Sequence, residues 1–97
     1  MLYTVNKSPF ASPNLERCLQ VAPAGSPILL YEDGVYAAAA GTAFEERLHA
    51  ALQAHPIYAL QSDLEARGLS NLVEGVRVIT YEDFVDLVIE HNVVPWL

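Results

Sequence analysis

Ile28-Leu29-Leu30-Tyr31-Glu32-Asp33-Gly34-Val35-Tyr36-Ala37-Ala38-Ala39-Ala40-Gly41 is the stretch that decides the fold class. It opens as a short apolar run, turns at Glu32-Asp33-Gly34 and continues into an alanine block closed by Gly41. A run of that length reads as a strand buried on both faces, as in a parallel sheet. Asp33 is placed to cap a following helix, because a carboxylate accepts bonds from the first free backbone N–H groups. Alanine has the highest helix propensity, and Gly41 suits the left-handed conformation that ends a helix. The expected unit is therefore strand, tight turn, helix, and the rest of the chain reads as further copies of it.

Working outward, Leu2 to Val5 reads as a first strand, ended by Asn6-Lys7-Ser8-Pro9. Ser12 or Asn14 is expected to cap a helix running to about Ala22. Its apolar positions Leu15, Cys18, Leu19 and Ala22 follow the i, i+3, i+4, i+7 spacing of one buried face. After the alanine block, a helix is expected from Thr42 to Ala54, with Phe44, Leu48, Ala51 and Leu52 inward. Ile57 to Leu60 is the next strand. Ser62-Asp63-Leu64-Glu65 matches a capping box for a short helix ending at Gly68. Val76 to Ile79 is a fourth strand. Thr80 and Asp83 form a second capping box, opening a last helix from Tyr81 to about His91. The tail Val93-Val94-Pro95-Trp96-Leu97 is extended, and Pro95 confines it to an edge, since proline lacks the N–H that a central strand donates. Strands alternating with helices predict an α/β fold, a three-layer α/β/α sandwich on a mainly parallel sheet of four or five strands. With 97 residues, one domain spanning 1–97 is expected.

Composition narrows function. Twelve acidic residues against five basic ones give a formal charge of −7. A direct grip on nucleic acid needs clustered Lys and Arg, and here Lys7, Arg17, Arg47, Arg67 and Arg77 are scattered. Hydrophobic residues make up 53%, which is rich for so small a domain and hints at surface buried against partners. Cys18 is the single cysteine, so no disulfide forms within the chain and a reducing cytosolic setting is expected. No apolar run reaches the ~20 residues of a membrane span. Met1 to Lys7 does not have the shape of a signal peptide.

Few residues invite chemistry. Gly34 stands alone after its strand, with no GxGxxG and no Walker lysine, so no nucleotide site is expected. His49, His55 and His91 are not spaced as metal ligands and read as surface histidines. Nothing implies a cofactor. Cys18 has two readings. It is either a thiolate that accepts sulfur as a persulfide, or a small core residue on the Leu15, Leu19, Ala22 face. The last helix is unusual in a different way. Phe84, Val85, Leu87, Val88 and Ile89 span roughly 200° of its circumference, against the ~100° that one core face requires. The surplus, with Phe84, Val85 and Val88 as the candidates, is expected to dock another subunit.

Four blocks in order carry a family resemblance. They are Leu2-Tyr3-Thr4-Val5-Asn6-Lys7-Ser8-Pro9-Phe10; Glu32-Asp33-Gly34-Val35-Tyr36-Ala37-Ala38; Tyr58-Ala59-Leu60 with Asp63-Leu64-Glu65-Ala66-Arg67-Gly68-Leu69; and Tyr81-Glu82-Asp83-Phe84-Val85-Asp86-Leu87 with a terminal Trp96. Together they resemble the DsrH/TusB family over nearly the whole chain. The resemblance implies an α/β/α sandwich. It also implies the smallest subunit of a cytoplasmic three-component sulfurtransferase complex, with DsrE/TusD-like and DsrF/TusC-like partners and two copies of each. Without those partners a homodimer is the alternative. Such complexes relay persulfide sulfur toward wobble-uridine 2-thiolation of tRNA, or serve intracellular sulfur oxidation. Their main sulfur-accepting cysteine lies on the DsrE/TusD-like subunit. Leu15-Glu16-Arg17-Cys18-Leu19 resembles the first-helix cysteine context of the DsrH branch. Two functions follow. One is a secondary sulfur carrier working through Cys18. The other is a non-catalytic docking subunit in which Cys18 only packs. An exposed sulfur near Arg17 or Lys7 favours the first, and a sulfur sealed beneath Leu15 and Leu19 favours the second.

Overall fold

The computed structural model describes residues 1–97. Five strands, β1 (Leu2–Val5), β2 (Ile28–Leu30), β3 (Ile57–Leu60), β4 (Arg77–Ile79) and β5 (Val93–Trp96), form one sheet in the order β4-β3-β2-β1-β5. Every neighbouring pair is parallel. Ile28, Leu29 and Leu30 are fully buried, as expected of a central strand covered on both faces. The tail pairs with β1 at the edge, where Pro95 lies opposite Thr4.

The helices are α1 (Asn14–Val21), α2 (Glu45–Leu52), α3 (Gln61–Ala66) and α4 (Tyr81–Glu90). The connections divide unequally between the faces, and topology explains why. The chain steps in one direction from β1 to β4, then returns across the whole sheet to β5. Crossovers between parallel strands share one handedness, so a reversal of direction moves the connection to the opposite face. Tyr3, Val5, Ile28, Leu30, Ile57 and Ala59 accordingly pack against side chains of α1, α2 and α3 in the main core. Leu2, Leu29, Leu60 and Ile79 form a smaller cluster on the other face, where Phe84 and Leu87 of α4 reach them. One layer holds three helices and the other holds α4 alone.

Several local expectations are corrected. The alanine block is not an α-helix: Glu32–Ala38 is a 3-10 helix, and Ala39 is extended. The reason is tertiary pairing. Val73 N–H donates to the Ala38 carbonyl at 2.8 Å and Ala40 N–H to the Asn71 carbonyl at 2.9 Å. Ala37 and Ala38 are fully buried. Small side chains let two backbones meet here, and that contact overrides helix propensity. Gly41 sits beyond this pairing with φ +79°, in a turn and not at a helix end.

Asp33 does not cap. Its Oδ1 accepts from Arg67 Nε at 3.0 Å and Nη2 at 2.9 Å. The cap of the 3-10 segment comes from a distance instead: Glu32 N–H donates to Asp63 Oδ2 at 2.8 Å. The box expected at Ser62 and Glu65 is absent, because α3 begins at Gln61, directly after β3, with no side-chain cap. Ser62 is thus already inside the helix, and Asp63 is left free to serve the 3-10 segment and Arg67. Helix α2 is shorter than expected, beginning at Glu45. The Thr42 hydroxyl accepts from Phe44 N–H at 3.2 Å in the turn before it. Neither Ser12 nor Asn14 caps α1: the N-cap position falls on Pro13, which has no side-chain cap to offer, and the Ser12 hydroxyl accepts from Asn14 N–H at 3.2 Å across it. At α4 both bonds of the Thr80 and Asp83 capping box form.

Candidate functional site: a sealed cysteine and an apolar helix flank

The only thiol lies on the sheet-facing side of α1. Leu15, Cys18 and Leu19 are the buried residues of that helix, and no solvent reaches Cys18. Burial pushes the thiol up to about 11. Arg17, its sequence neighbour, is exposed, so it does not lie beside the sulfur in the core. Arg47 of α2 is committed elsewhere: it holds Glu16 at 2.9 Å across the two helices. A protonated, enclosed thiol is a poor nucleophile, because attack requires both the thiolate and a path to it.

This setting makes stability sensitive to alkali, and the sign follows from where the proton sits. The folded chain keeps the thiol protonated up to about 11, whereas the unfolded chain releases it near the ordinary 9.0. Between those values the unfolded chain binds fewer protons, so stability falls as pH rises. The separation corresponds to about 2–3 kcal/mol at the top of the window. Denaturant melts of wild type and Cys18→Ala, taken between those pH values, are expected to converge as the wild type loses this contribution. Curves that stay parallel across the window contradict the buried-thiol assignment.

The histidines divide. His49 is exposed on α2, but His55 is buried, which corrects the expectation of a surface residue. Its Nδ1 lies 2.9 Å from the Ser26 carbonyl and ties the end of α2 to the lead-in of β2. Both line a cleft of about 500 Å³ with Glu74 and Arg77, at the N-terminal ends of β3 and β4. In parallel α/β sheets ligands bind beyond the carboxyl ends of the strands, which is the opposite end.

Helix α4 leaves apolar side chains exposed. None of its residues is buried. Phe84 and Leu87 turn toward the sheet and are half-buried. At 100° per residue, Val88, Tyr81, Val85 and Ile89 follow at roughly 40°, 60°, 100° and 140° from Phe84. They are exposed at 38%, 65%, 38% and 76% respectively. The expected surplus is therefore a continuous apolar flank. Of the three candidates, Val85 and Val88 lie on the exposed flank, while Phe84 is half-buried against the sheet. Tyr81 also belongs to the flank, its ring 5.7 Å from that of Phe84. The arc drawn from Phe84, Val85, Leu87, Val88 and Ile89 did not include it. No helix of the chain is long and apolar enough to cross a membrane.

The chain is similar to known proteins along nearly its whole length. A family model described as "DsrH like protein" matches residues 7–94. The chain is 44% identical over 94 residues to Protein TusB of Serratia proteamaculans, covering 95% of each. It is 39% identical over 93 residues to Protein TusB of Photorhabdus laumondii, again covering 95% of each. Among solved structures, the ychN protein from E. coli matches with a TM-score of 0.78 at 19% identity, over 97% of both chains. That last likeness is one of fold.

Proposed function

The chain belongs to the DsrH/TusB family, and on that premise we propose that it is the docking subunit of a cytoplasmic sulfur-relay complex, in which Cys18 packs and carries no sulfur. The observation that carries this reading is the contrast between the sealed Cys18 and the exposed α4 flank. Sulfur transfer to a cysteine needs its thiolate to attack the terminal sulfur of a donor persulfide. The S–S bond of the donor breaks, its thiolate leaves, and a new persulfide forms on the acceptor. A donor must approach in line with the acceptor sulfur, and Cys18 offers no surface for that approach. The α4 flank instead offers four adjacent apolar side chains of the kind that marks a protein contact.

The partners implied by the family are DsrE/TusD-like and DsrF/TusC-like subunits in a heterohexamer, with the accepting cysteine on the former. The TusB name of the relatives favours the relay that ends in 2-thiolation of tRNA wobble uridine over sulfur oxidation. The charge of −7 supports a subunit that meets proteins and leaves RNA to a later enzyme. Co-expression with the two partners, followed by sizing, is the test. The chain is expected in one large assembly with both. A chain that elutes as a free monomer beside an intact partner complex contradicts the docking role.

A further inference from the structure

We infer that the α4 flank takes a surface that is apolar at its centre and bordered by lysine or arginine, and that a second copy of this chain does not satisfy it. The inference rests on the docking reading above and adds the chemistry of the partner.

The argument starts from what borders the flank. Continuing round α4 past Ile89, Glu82, Asp86 and Glu90 fall at roughly 160°, 200° and 240° from Phe84. They stand at i, i+4 and i+8, so they form one acidic row along the edge of the apolar strip, and all three are exposed. The helix contains no Lys or Arg. Like charges four apart repel on a helix, and Glu90 lies at the carboxyl end, where the helix dipole also disfavours an anion. Asp83 has a local task, because it accepts from Thr80 N–H in the capping box. Glu82 lies in the first turn, where the helix dipole favours an anion, but neither it nor Asp86 nor Glu90 has an ion-pair partner: every ion pair in the chain involves Arg47 or Arg67. Of the other cations, Arg77 lies over the Tyr58 ring at 5.7 Å, Arg17 is on α1 against the opposite face, and Lys7 follows β1. The acidic row is therefore without a counter-charge within the chain, and a basic border on a partner supplies one.

A second copy supplies the wrong charge. An antiparallel two-fold pairing of α4 with itself keeps the flanking row on the same side in both copies. Glu82, Asp86 and Glu90 of one chain then stand beside those of the other. Each chain also brings a net −7, which opposes self-association generally. Charge complementarity thus selects a different polypeptide with a basic rim. It also assigns the row a kinetic role, since opposite potentials steer encounter and like ones reject wrong partners.

The test compares three forms of the chain binding the DsrE/TusD-like and DsrF/TusC-like pair: wild type, the neutral triple Glu82→Gln/Asp86→Asn/Glu90→Gln, and the reversed triple Glu82→Lys/Asp86→Lys/Glu90→Lys. Affinity is measured at about 0.05 M and about 0.5 M salt, where screening is weak and strong respectively. Circular dichroism checks that α4 is retained. The wild type is expected to weaken at least tenfold with salt. The neutral triple should bind less tightly at low salt, with little salt dependence. The reversed triple should bind at least 100-fold more weakly at low salt and recover as salt rises. Complexes of equal affinity across all three forms, with no salt dependence, overturn the basic-rim inference while leaving docking intact. A wild-type dimer that dissociates on Val85→Asp also overturns it, in favour of the second copy. A wild-type chain that binds neither partner at either salt overturns the docking reading and this inference with it.

Discussion

A chain carrying Val85→Asp and Val88→Asp is expected to fold normally and to drop out of the three-component assembly. Both side chains point outward, each 38% exposed, and the inward contacts of α4 are made by Phe84 and Leu87. The substitutions therefore remove little from the core of the chain itself. In a contact that desolvates the flank, each new carboxylate is buried without a partner. Burying one unpaired charge at an interface costs about 2–5 kcal/mol. The lower figure alone is about 30-fold in affinity, and two such charges bring the expected loss to about 100-fold or more. The readout is the fraction of chain co-eluting with tagged partners, against thermal melts of the isolated variant. Unchanged co-elution places the contact on another surface.

The second large effect is on folding and falls on one glycine. Gly34 has an ordinary backbone conformation, so its freedom to adopt positive φ is not what the site requires. Space is. A Cβ built on Gly34 overlaps the Val5 carbonyl oxygen and comes within 3.0 Å of the Val5 carbonyl carbon, both rigid backbone atoms. That same oxygen accepts from Tyr31 N–H at 3.2 Å, in the ladder joining β1 to the end of β2. Gly34→Ala must push the 3-10 segment off the sheet or break this bond. The expected loss is about 3 kcal/mol, at the upper end for overpacking because no side chain can swing aside. That is a large share of the roughly 5–15 kcal/mol that stabilises a domain of this length. Gly41→Ala is the control. Its Cβ meets nothing within 4 Å, so only the φ of +79° is penalised, at about 1–2 kcal/mol. Melts in which the two variants lose equal stability refute the close-approach argument.

The contrast between those glycines shows what was legible in the sequence. Patterns set by one element on its own were readable. The β2 run, the inward spacing of Leu15, Cys18 and Leu19, the Thr80 and Asp83 box and the confinement of Pro95 to an edge all hold in the structure. Features set by two distant segments were not. Asp33 has the form of a cap, but Arg67 claims it from 34 residues away. Asp63 belongs to a matching capping motif and serves Glu32 instead. Four alanines in a row describe a helix equally well as a place where backbones touch, and only the pairing with residues 71–73 distinguishes the two.

The site divides in the same way. The over-wide arc of α4 was visible from periodicity, because a helix that packs on one sheet needs no more than one apolar stripe. The spacing of Cys18 allowed both the core and the carrier readings. Its depth depends on how tightly α1 lies on the sheet, which a helical pattern does not encode. His55 is buried and bonds the Ser26 carbonyl, a contact across 29 residues with no sequence signature.

The most direct test of the docking account is to follow one sulfur atom. The complete complex is assembled with wild-type chain and loaded by a persulfide donor, and each subunit is then mapped by mass spectrometry before and after transfer to the next acceptor. The parallel sample carries Cys18→Ala. The account predicts persulfide on the partner cysteine, none on Cys18 at any stage, and equal transfer from both complexes. An added sulfur on Cys18 that appears on loading and disappears on transfer, together with slowed transfer in Cys18→Ala, contradicts it and makes this chain a carrier.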